Sequence, residues 1–385
     1  MLSSGERATV VLLQAKQSLG AAGLAEFGAA VAAAGAELRI LRTGEVPLVR
    51  EGDDAAAGVG DARIAPVEEW RSLIPDGATA IVTNDEYLLG TAARLCGDAG
   101  LRSPIPAGSL ENYRHKGVMR RTLEAAGIPV PETLIVSGGA VEKAGGCTGF
   151  ADDELVIVKP AAEANLRGIR TERFASVDLG ALDDELVERL LEGPQYHSEV
   201  LVTNGTVTHL FSGLYIRSLL DLTKGGGSGS ARTDPETEAK LADLALRTCA
   251  ALGLDGTFTA HVEYLSGGDD FADVVVSEVC ARASGGEVPF QSRTITGVDL
   301  ELLNLRIQAG LPGVEPKVDP DASGGWLWRV GQPIAGAERI EHLPVEASFD
   351  RIRLGGRARI SGRTAAVLAA LELLAAANEV GVSGQ

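Results

Sequence analysis

Two glutamates in the C-terminal half of the chain could hold a metal ion between them. Glu263 lies within the apolar segment 261–265, and Glu278 follows the β-branched run Val274–Val276. This pattern predicts two adjacent strands joined by a polar turn, so both carboxylates can converge on one face of a sheet. Buried like charges are costly unless cations or protons neutralise them. Mg²⁺ prefers such oxygen ligands, and nucleotide phosphates can complete its coordination shell.

The residues that follow Glu278 could bind an anion beside that metal. Cys280 and Arg282 follow at alternate positions, and the two-residue period of a strand places all three side chains on one face. Arg282 and the small residues after it could hold anionic oxygens. A simpler interpretation, a half-buried hairpin with two solvated glutamates, stays open at this point.

This spacing resembles the metal motif of the ATP-grasp ligases, a Glu followed further on by Glu-x-Asn-x-Arg. Here Glu263 is followed by Glu278-Val279-Cys280-Ala281-Arg282, so that Cys280 stands where the family has Asn. The resemblance implies a metal site at Glu263, Glu278 and the position of Cys280, for Mg²⁺ or alternatively Mn²⁺. It also implies that the substrate carboxylate or acyl phosphate is bound by Arg282, Ser284, Gly285 and Gly286.

Two lysines precede the motif in the order and spacing of the same family. Lys116 and Lys159 are 43 residues apart, the first on a predicted helix and the second at the end of a predicted strand. The resemblance implies that both lysines hold the α- and β-phosphates of ATP. It also implies catalytic roles for Lys159, His261 and Arg282. Taken singly, each lysine would more often be a solvated surface residue.

Two further segments resemble other parts of the family's nucleotide site. The stretch after Lys159 keeps Gly168 and resembles the loop that covers the phosphates, although larger residues stand where small ones are usual. The segment that begins at Glu188 resembles the adenine hinge, which implies a ribose contact for Glu188. The base would be lined by Arg189, Leu190 and Leu191.

Further polar residues could take part in the site. Glu199 occupies a position that is acidic in many relatives, and the resemblance implies that it contributes to binding the nucleotide. His261 resembles the His of an H-x-E motif, and both a substrate-orienting and a purely structural role stay open for it. Three basic residues could reach the γ-phosphate, and the sequence does not choose among them: Arg217, Lys224 and Arg232.

Composition limits the cellular compartments and the kinds of partner that we expect for this protein. The 385 residues suggest two or three domains, and a hydrophobic content of 45% is enough to bury a core. A net charge of −18 argues against nucleic acid or an anionic membrane as the main partner. The four cysteines show no metal or redox spacing, and no leader peptide is recognised at the start. We therefore expect a cytoplasmic protein with small-molecule partners, and a homodimer stays open.

The periodicity predicts the following elements. Residues 8–107 alternate strand and helix, which indicates a small parallel sheet. A single helix is expected from Ser109 to Ala126, a loose stretch over 137–150, and a short helix over Asp183–Leu191. Asn204-Gly205 predicts a hairpin turn, and Lys224–Ser230 has the composition of a flexible loop.

These observations favour an α/β protein of the ATP-grasp fold, with α+β character in its lid. The expected domains are an N-terminal Rossmann-like domain (1–107), a lid domain (108–191) and a C-terminal mixed-sheet lobe (192–385). The resemblance, strongest to the L-amino acid ligase group, implies an ADP-forming carboxylate–amine ligase that uses ATP and Mg²⁺. Three alternatives stay open: a thiol or carrier-protein acceptor, a nucleotide-binding module without catalysis, and an unrelated doubly wound protein.

Overall fold

The computed structural model describes most of the chain. The described residues are 8–15, 19–43, 61–105, 107–223, 225–268, 271–312, 315–352 and 355–378. Lys224, one of the three candidates for the γ-phosphate, lies outside them. Within the described part, no helix has the length and hydrophobicity that crossing a membrane requires.

The first sheet is parallel, as the alternating pattern predicted. Its strands are β1 (Thr9–Gln14), β2 (Glu37–Arg42), β3 (Asp61–Ile64) and β4 (Ala78–Val82). They are ordered β3-β2-β1-β4, with every pair parallel. Three helices accompany them: α1 (Ala21–Ala33), α2 (Trp70–Leu73) and α3 (Leu89–Asp98). Strand β1 is buried along its whole length, because the apolar run fills a sheet covered on both faces.

The helix expected from Ser109 to Ala126 is broken into two. Helix α4 spans Ala107–Arg114 and helix α5 spans Lys116–Ala125. His115 between them has extended backbone, and its imidazole accepts a hydrogen bond from the amide of Val118. A side chain that caps a helix start in this way separates two helices that sequence periodicity joins. The break makes Lys116 the first residue of α5.

The second sheet has five strands, all paired antiparallel. They are β5 (Thr133–Ser137), β6 (Ala140–Ala144), β7 (Leu155–Pro160), β8 (Arg170–Arg173) and β9 (Glu185–Arg189), in the order β6-β5-β9-β7-β8. The short helix predicted over Asp183–Leu191 is therefore wrong, because β9 pairs with strands on both edges. The stretch 137–150 is not wholly loose either. Gly138 and Gly139 have positive φ and turn the chain into β6.

The third sheet has eight strands. They are β10 (Gln195–Thr203), β11 (Thr206–Tyr215), β12 (Gly227–Arg232), β13 (Thr257–Ser266), β14 (Val274–Cys280), β15 (Ala322–Val330), β16 (Val345–Ile352) and β17 (Gly355–Arg363). Their order is β14-β13-β10-β11-β12-β15-β17-β16. Its helices are α6 (Leu220–Thr223), α7 (Pro235–Leu252), α8 (Val288–Thr296), α9 (Leu300–Gln308) and α10 (Thr364–Ala377). The predicted turn is confirmed, with Asn204 and Gly205 both at positive φ.

The flexible loop predicted over Lys224–Ser230 is wrong for its described C-terminal part. Residues 227–230 belong to β12, which is buried and lies between β11 and β15. A Cβ on Gly227 would lie 2.2 Å from the carbonyl oxygen of Trp328, and one on Gly229 would lie 2.6 Å from that of Trp326. The glycines thus serve close backbone approach to β15, a use that composition does not distinguish from flexibility.

Candidate active site

The two predicted metal carboxylates lie opposite each other on neighbouring strands. Glu263 of β13 and Glu278 of β14 are direct partners in the antiparallel register. Their side chains keep exposed fractions of 18% and 20%, and both line a cavity of about 460 Å³. Because oxygen ligands of a hard cation must converge and stay accessible, this arrangement fits a Mg²⁺ site.

Lys116 lies against this carboxylate pair. Its Nζ is 3.1 Å from Oε1 of Glu278 and also donates to the carbonyl oxygen of Glu163. Burial lowers the pKa of Lys116, but the negative charge of Glu278 more than offsets it, so the pKa lies above its ordinary value. Lys116 and Lys159 together hold the pKa of the Glu278 carboxyl below its ordinary value despite burial. Both groups are therefore charged at neutral pH.

Lys159 belongs to a second, deeper ion cluster. Its Nζ is 2.7 Å from Oε2 of Glu188, and Nη2 of Arg120 is 2.7 Å from Oε1 of the same glutamate. Arg120 has no exposed side-chain surface, and Glu188 has 3%. Burial lowers the pKa of Lys159, whereas Arg120 and Lys159 keep the pKa of Glu188 below its ordinary value against burial.

The structure changes the interpretation of the predicted hinge. Glu188 lies in strand β9, and both its carboxylate oxygens are bonded to cations rather than directed to a ribose. The guanidinium of Arg189 is bonded to Glu132, with 2.9 Å between Nε of Arg189 and Oε1 of Glu132. Leu190 and Leu191 follow the strand and are half-buried between β9 and β10.

Arg282 is held in place by a residue of the first sheet region. Nε and Nη2 of Arg282 lie 3.0 and 2.9 Å from Oε2 of Glu86, and Nη1 donates to the carbonyl oxygen of Ala283. Glu86 also binds Nη1 of Arg114 at 2.5 Å. The Glu86 charge raises the pKa of Arg282 against the effect of burial. Sequence reasoning missed Glu86, although it follows β4 at the carboxyl end of a parallel strand, where sites are common.

His261 connects the metal carboxylates to a buried polar chain. Its Nε2 lies 3.2 Å from Oε1 of Glu263, and its Nδ1 lies 2.6 Å from Oε1 of Glu199. That same oxygen is 2.9 Å from Nδ1 of His197, whose Nε2 is 2.8 Å from the hydroxyl of Ser230. Burial lowers the His261 pKa, but Glu199 and Glu263 overcome it and raise the pKa to about 10. The imidazolium therefore fixes the orientation of Glu263.

Cys280 is close to the metal carboxylates but is a poor ligand for Mg²⁺. Its Sγ lies 4.0 Å from Oε1 of Glu278. Burial, strengthened by the nearby Glu86 charge, raises the pKa of the thiol well above its ordinary value. A neutral thiol is a soft donor, whereas Mg²⁺ selects oxygen. The oxygen donors at this site are thus carboxylates: those of Glu263 and Glu278, and that of Glu86, which lies close enough to Glu278 to share an ion.

The predicted phosphate loop lies above this cavity and is bonded to the first sheet region. The Tyr87 hydroxyl donates to Oε2 of Glu163 and to the carbonyl oxygen of Ala164, both at 3.2 Å. Asn165 and Leu166 line the cavity, and both have positive φ. Gly168 also has positive φ, and a Cβ there would lie 2.8 Å from Cγ of Pro160.

Two of the three γ-phosphate candidates are bonded elsewhere. Nη2 of Arg217 donates to the carbonyl oxygen of Ala375 at the end of α10. Arg232 is bound to Glu238 through Nε and Nη2, and its Nη1 donates to two carbonyl oxygens. Neither residue lines the cavity that contains the paired glutamates.

The cavity extends from the carboxylates to a pair of tryptophans that sequence reasoning missed. Its charged end contains the candidate metal and anion ligands. The remaining wall is mostly apolar or weakly polar, and its residues are Tyr215, Leu219, Leu222, Ser228, Ser284, Gly285, Gly286, Val288, Trp326 and Trp328. The alternation of Trp326 and Trp328 on one strand is the signal that could have revealed this wall.

Solved structures share this arrangement of sheets. The L-amino acid ligase from Bacillus licheniformis is 17% identical, with a TM-score of 0.69 over 97% of this chain and 98% of that one. An ATP complex of carboxyaminoimidazole ribonucleotide synthase from Aspergillus clavatus is 13% identical, with a TM-score of 0.64 over 96% and 99%. The biotin carboxylase domain of the Hydrogenobacter thermophilus 2-oxoglutarate carboxylase, with MgADP and bicarbonate, is 16% identical, with a TM-score of 0.59 over 93% and 86%.

The sequence comparisons add nothing to these structural similarities. No protein-family model matches the chain, and no curated protein matches it significantly. The structural similarity extends over nearly the whole length of both chains in the first two cases. The chain therefore has the ATP-grasp fold that its sequence motifs predicted.

Proposed function

We propose that this protein is an ADP-forming ligase that activates a carboxylic acid with ATP and joins it to an amine. One observation carries the proposal. Lys116 contacts Glu278 directly, and Lys159 lies near enough to influence the same carboxyl, whose strand partner is Glu263. Two buried ammonium groups beside two accessible carboxylates suit a polyphosphate that arrives with its metal.

The nucleotide would lie between the second and third sheets. Lys116 and Lys159 would hold its phosphates, and the loop around Gly168 would cover them through backbone amides. Glu263 and Glu278 would hold Mg²⁺, which would neutralise charge on the phosphates. We also propose that the three sheets mark three domains, with boundaries near residues 107 and 191.

The acid would react at the charged end of the cavity. A carboxylate oxygen of the acid attacks the γ-phosphorus of ATP, the bond to the β-phosphate oxygen breaks, and ADP leaves. The amine nitrogen then attacks the acyl carbon and loses a proton, and phosphate leaves. Arg282, oriented by Glu86, is placed to hold the acid or its acyl phosphate, because a guanidinium fork matches planar oxyanions. The protein thus contributes positioning and charge neutralisation.

The fold similarity includes enzymes with different acids and acceptors, so the finer activity needs a direct test. We would screen carboxylic acids with ATP and Mg²⁺ for ADP release, using hydroxylamine as a general amine that traps acyl phosphates as hydroxamates. Hydroxamate formed in step with ADP would support the proposal. ADP release that needs coenzyme A or a carrier protein would instead indicate a thiol acceptor.

Failure of the screen is also informative. ATP binding without ADP release for any acid would identify a nucleotide-binding module that does not catalyse the reaction. The absence of Mg²⁺-dependent nucleotide binding would contradict the proposal altogether.

A further inference from the structure

The phosphate loop, which we define as residues 161–168, is bonded to a tyrosine of the first sheet region. The hydroxyl of Tyr87 lies 3.2 Å from Oε2 of Glu163 and 3.2 Å from the carbonyl oxygen of Ala164. Burial and the charge of Glu163 raise the pKa of Tyr87, so the hydroxyl stays protonated and remains a donor at neutral pH. One side chain from outside the loop thus binds two of its consecutive residues.

The backbone of this loop needs outside support. Asn165 and Leu166 have φ of 57° and 59°, in the left-handed region that residues other than glycine rarely adopt. Such backbone persists only where surrounding contacts hold it in place. These two residues directly follow the pair that Tyr87 binds, and both line the cavity of the paired glutamates. The bonds from Tyr87 therefore lie next to the most strained part of the loop.

Tyr87 is itself held rigidly after the end of β4. Its amide donates to Oδ1 of Asp85, and Oδ2 of the same buried carboxylate accepts from the amide of Ala15, directly after β1. The guanidinium groups of Arg114 and Arg167 lie over the Tyr87 ring, with Cζ 5.8 and 6.0 Å from the ring centroid. The hydroxyl is thus presented to the loop from a fixed position.

A second bond to the loop has a different fate in the proposed function. Lys116 donates to the carbonyl oxygen of Glu163 and also contacts Glu278. Because Lys116 would bind the phosphates, its bond to the loop would be exchanged when the nucleotide arrives. Tyr87 is not among the described residues that line the cavity, so its bonds to the loop can persist in the bound state.

We propose that Tyr87 is a positioning residue that keeps the phosphate loop closed and thereby sets how fast the nucleotide enters and leaves. The loop must open for the nucleotide to pass, and opening breaks the bonds made by the Tyr87 hydroxyl. This assignment rests on the proposed function for the role of the loop. The contact between Tyr87 and the loop does not depend on that function.

A residue that holds the loop closed changes rates more than affinity. The bonds from Tyr87 are present both before and after the nucleotide binds, so removing them hardly changes the free energy of binding. Opening of the loop is a step in both entry and exit, so a weaker closed state accelerates both. A residue that contacts the nucleotide directly would instead weaken its affinity.

The test compares Tyr87→Phe with the native full-length chain. The variant keeps the aromatic ring between Arg114 and Arg167 and removes only the hydroxyl. Release of a fluorescent non-hydrolysable ATP analogue, N-methylanthraniloyl-AMPPNP with Mg²⁺, is followed after mixing with excess unlabelled ATP. Without nucleotide, trypsin cleavage after the exposed Arg167 is followed by mass spectrometry.

We expect Tyr87→Phe to release the analogue about fivefold faster and to be cleaved about fivefold faster, the effect of one neutral hydrogen bond on local opening. The dissociation constant of the analogue should change by less than about twofold. Tyr196→Phe is the matched control, because Tyr196 packs against Phe271 and is not among the described residues that line the cavity. It should leave all three quantities unchanged.

Glu163→Ala tests whether the hydroxyl acts through the loop. It removes one of the two acceptors and should also accelerate release and cleavage at nearly constant affinity. In the double variant with Tyr87→Phe, release should accelerate by less than the product of the two single effects, because both changes break the same contact. If Tyr87→Phe does not fold, as checked by circular dichroism, Glu163→Ala alone carries the test.

Two results would overturn the assignment. One is release and cleavage of Tyr87→Phe at the native rates. The other is weaker affinity for the analogue with unchanged cleavage, which would mean that the hydroxyl acts on the nucleotide and not on the loop.

The outcome is separable from that of the ligase proposal. Faster release and faster cleavage in Tyr87→Phe, with no hydroxamate or ADP for any acid, would support the role of Tyr87 and contradict the proposed activity. Hydroxamate formation by the native chain, together with native release and cleavage in Tyr87→Phe, would do the reverse.

Discussion

Two lysine–glutamate pairs contribute to the candidate nucleotide site, and they differ in what surrounds them. Lys159 and Glu188 are bonded to each other, and Arg120 binds the second oxygen of the same carboxylate. Lys116 binds Glu278 at one oxygen, and that carboxylate faces the cavity with 20% of its side-chain surface exposed. The first pair is closed to solvent, whereas the second opens onto the place where substrates would bind.

This difference separates a structural role from a chemical one. A buried ion cluster with matched hydrogen bonds tolerates the loss of a member poorly, because an uncompensated charge stays in a poorly solvated place. A partly exposed carboxylate can exchange its ammonium partner for water or metal at a small cost. Glu188 should therefore hold Lys159 in position, and Glu278 should act on the substrates.

The largest expected effect is the loss of turnover in Glu278→Gln. An amide cannot supply the negative charge that balances a divalent cation, so ADP formation should fall at least about a thousandfold, comparable to removing a major charge-stabilising group. The protein should stay folded because the side chain is partly exposed. ADP release against Mg²⁺ concentration measures the effect.

The matched control for that variant is Glu142→Gln. Glu142 is paired with Arg121 on the exposed face of the second sheet, with 53% of its side chain accessible. The same chemical change there should leave turnover unaltered. Activity of Glu278→Gln equal to that of the native chain would show that the metal assignment is wrong whatever the reaction is.

Glu188→Gln should act first on stability. It leaves the buried Lys159 and Arg120 without their counter-charge, which costs about 3–5 kcal/mol when one partner of a buried pair is removed. The folded pKa of Glu188 is depressed from 4.5, so its stabilisation is complete above that value and is lost as pH falls toward the folded pKa. Urea unfolding at neutral and acidic pH measures the free energy of unfolding of the native chain and of the variant. The difference between the two free energies should become smaller as the pH falls. A difference in unfolding free energy that grows at acidic pH would contradict the ion-cluster interpretation.

The sequence allowed the main chain of the site to be predicted better than its side-chain partners. Strand periodicity places Glu263 and Glu278 face to face, and the register bears this out. The partner of Arg282 is Glu86, and the second cation bound to Glu188 is Arg120. Both are distant in sequence and lie in elements that no local pattern connects to the motif. Pairings of this kind depend on how the sheets pack, which periodicity does not encode.

The wrong predictions for Glu185–Arg189 and Gly227–Ser230 have a common cause. Glu185–Arg189 is short, so its alternation is compatible with either a helix or a strand, and pairing with β5 and β7 decides between them. Gly227–Ser230 has the composition of a linker, but its small residues allow β11 and β15 to approach from both sides. In both segments tertiary pairing overrides local propensity, which is why the sequence alone could not distinguish the alternatives.

A smaller effect is expected at the lysine of the closed pair. Lys159→Ala should weaken ATP binding at least about tenfold, equivalent to 1.4 kcal/mol, because a positive charge beside the phosphates is lost. Calorimetric titration with ATP and Mg²⁺ measures this. Lys143→Ala is the control, since Lys143 lies exposed on β6 of the same sheet and donates to the carbonyl of Thr148. Equal affinity for the native chain and a folded Lys159→Ala would place the phosphates elsewhere.

The smallest expected effect concerns Cys280, whose thiol adjoins the open pair. The ATP-grasp motif that this segment resembles has Asn at this position. An amide oxygen is a hard donor that suits Mg²⁺, whereas a neutral thiol is a soft one. Cys280→Asn should therefore keep turnover and lower the Mg²⁺ concentration for half-maximal activity by about threefold, within the range of one weak ligand. Cys280→Ala removes the sulfur without adding an oxygen and should leave the Mg²⁺ requirement as it is. If the alanine variant also lowered the requirement, the effect would come from relief of crowding beside Glu278, and position 280 would not contribute to the metal site. If the native chain were inactive and only Cys280→Asn turned over, the open pair would belong to a binding module that needs an oxygen donor at position 280 to become an enzyme.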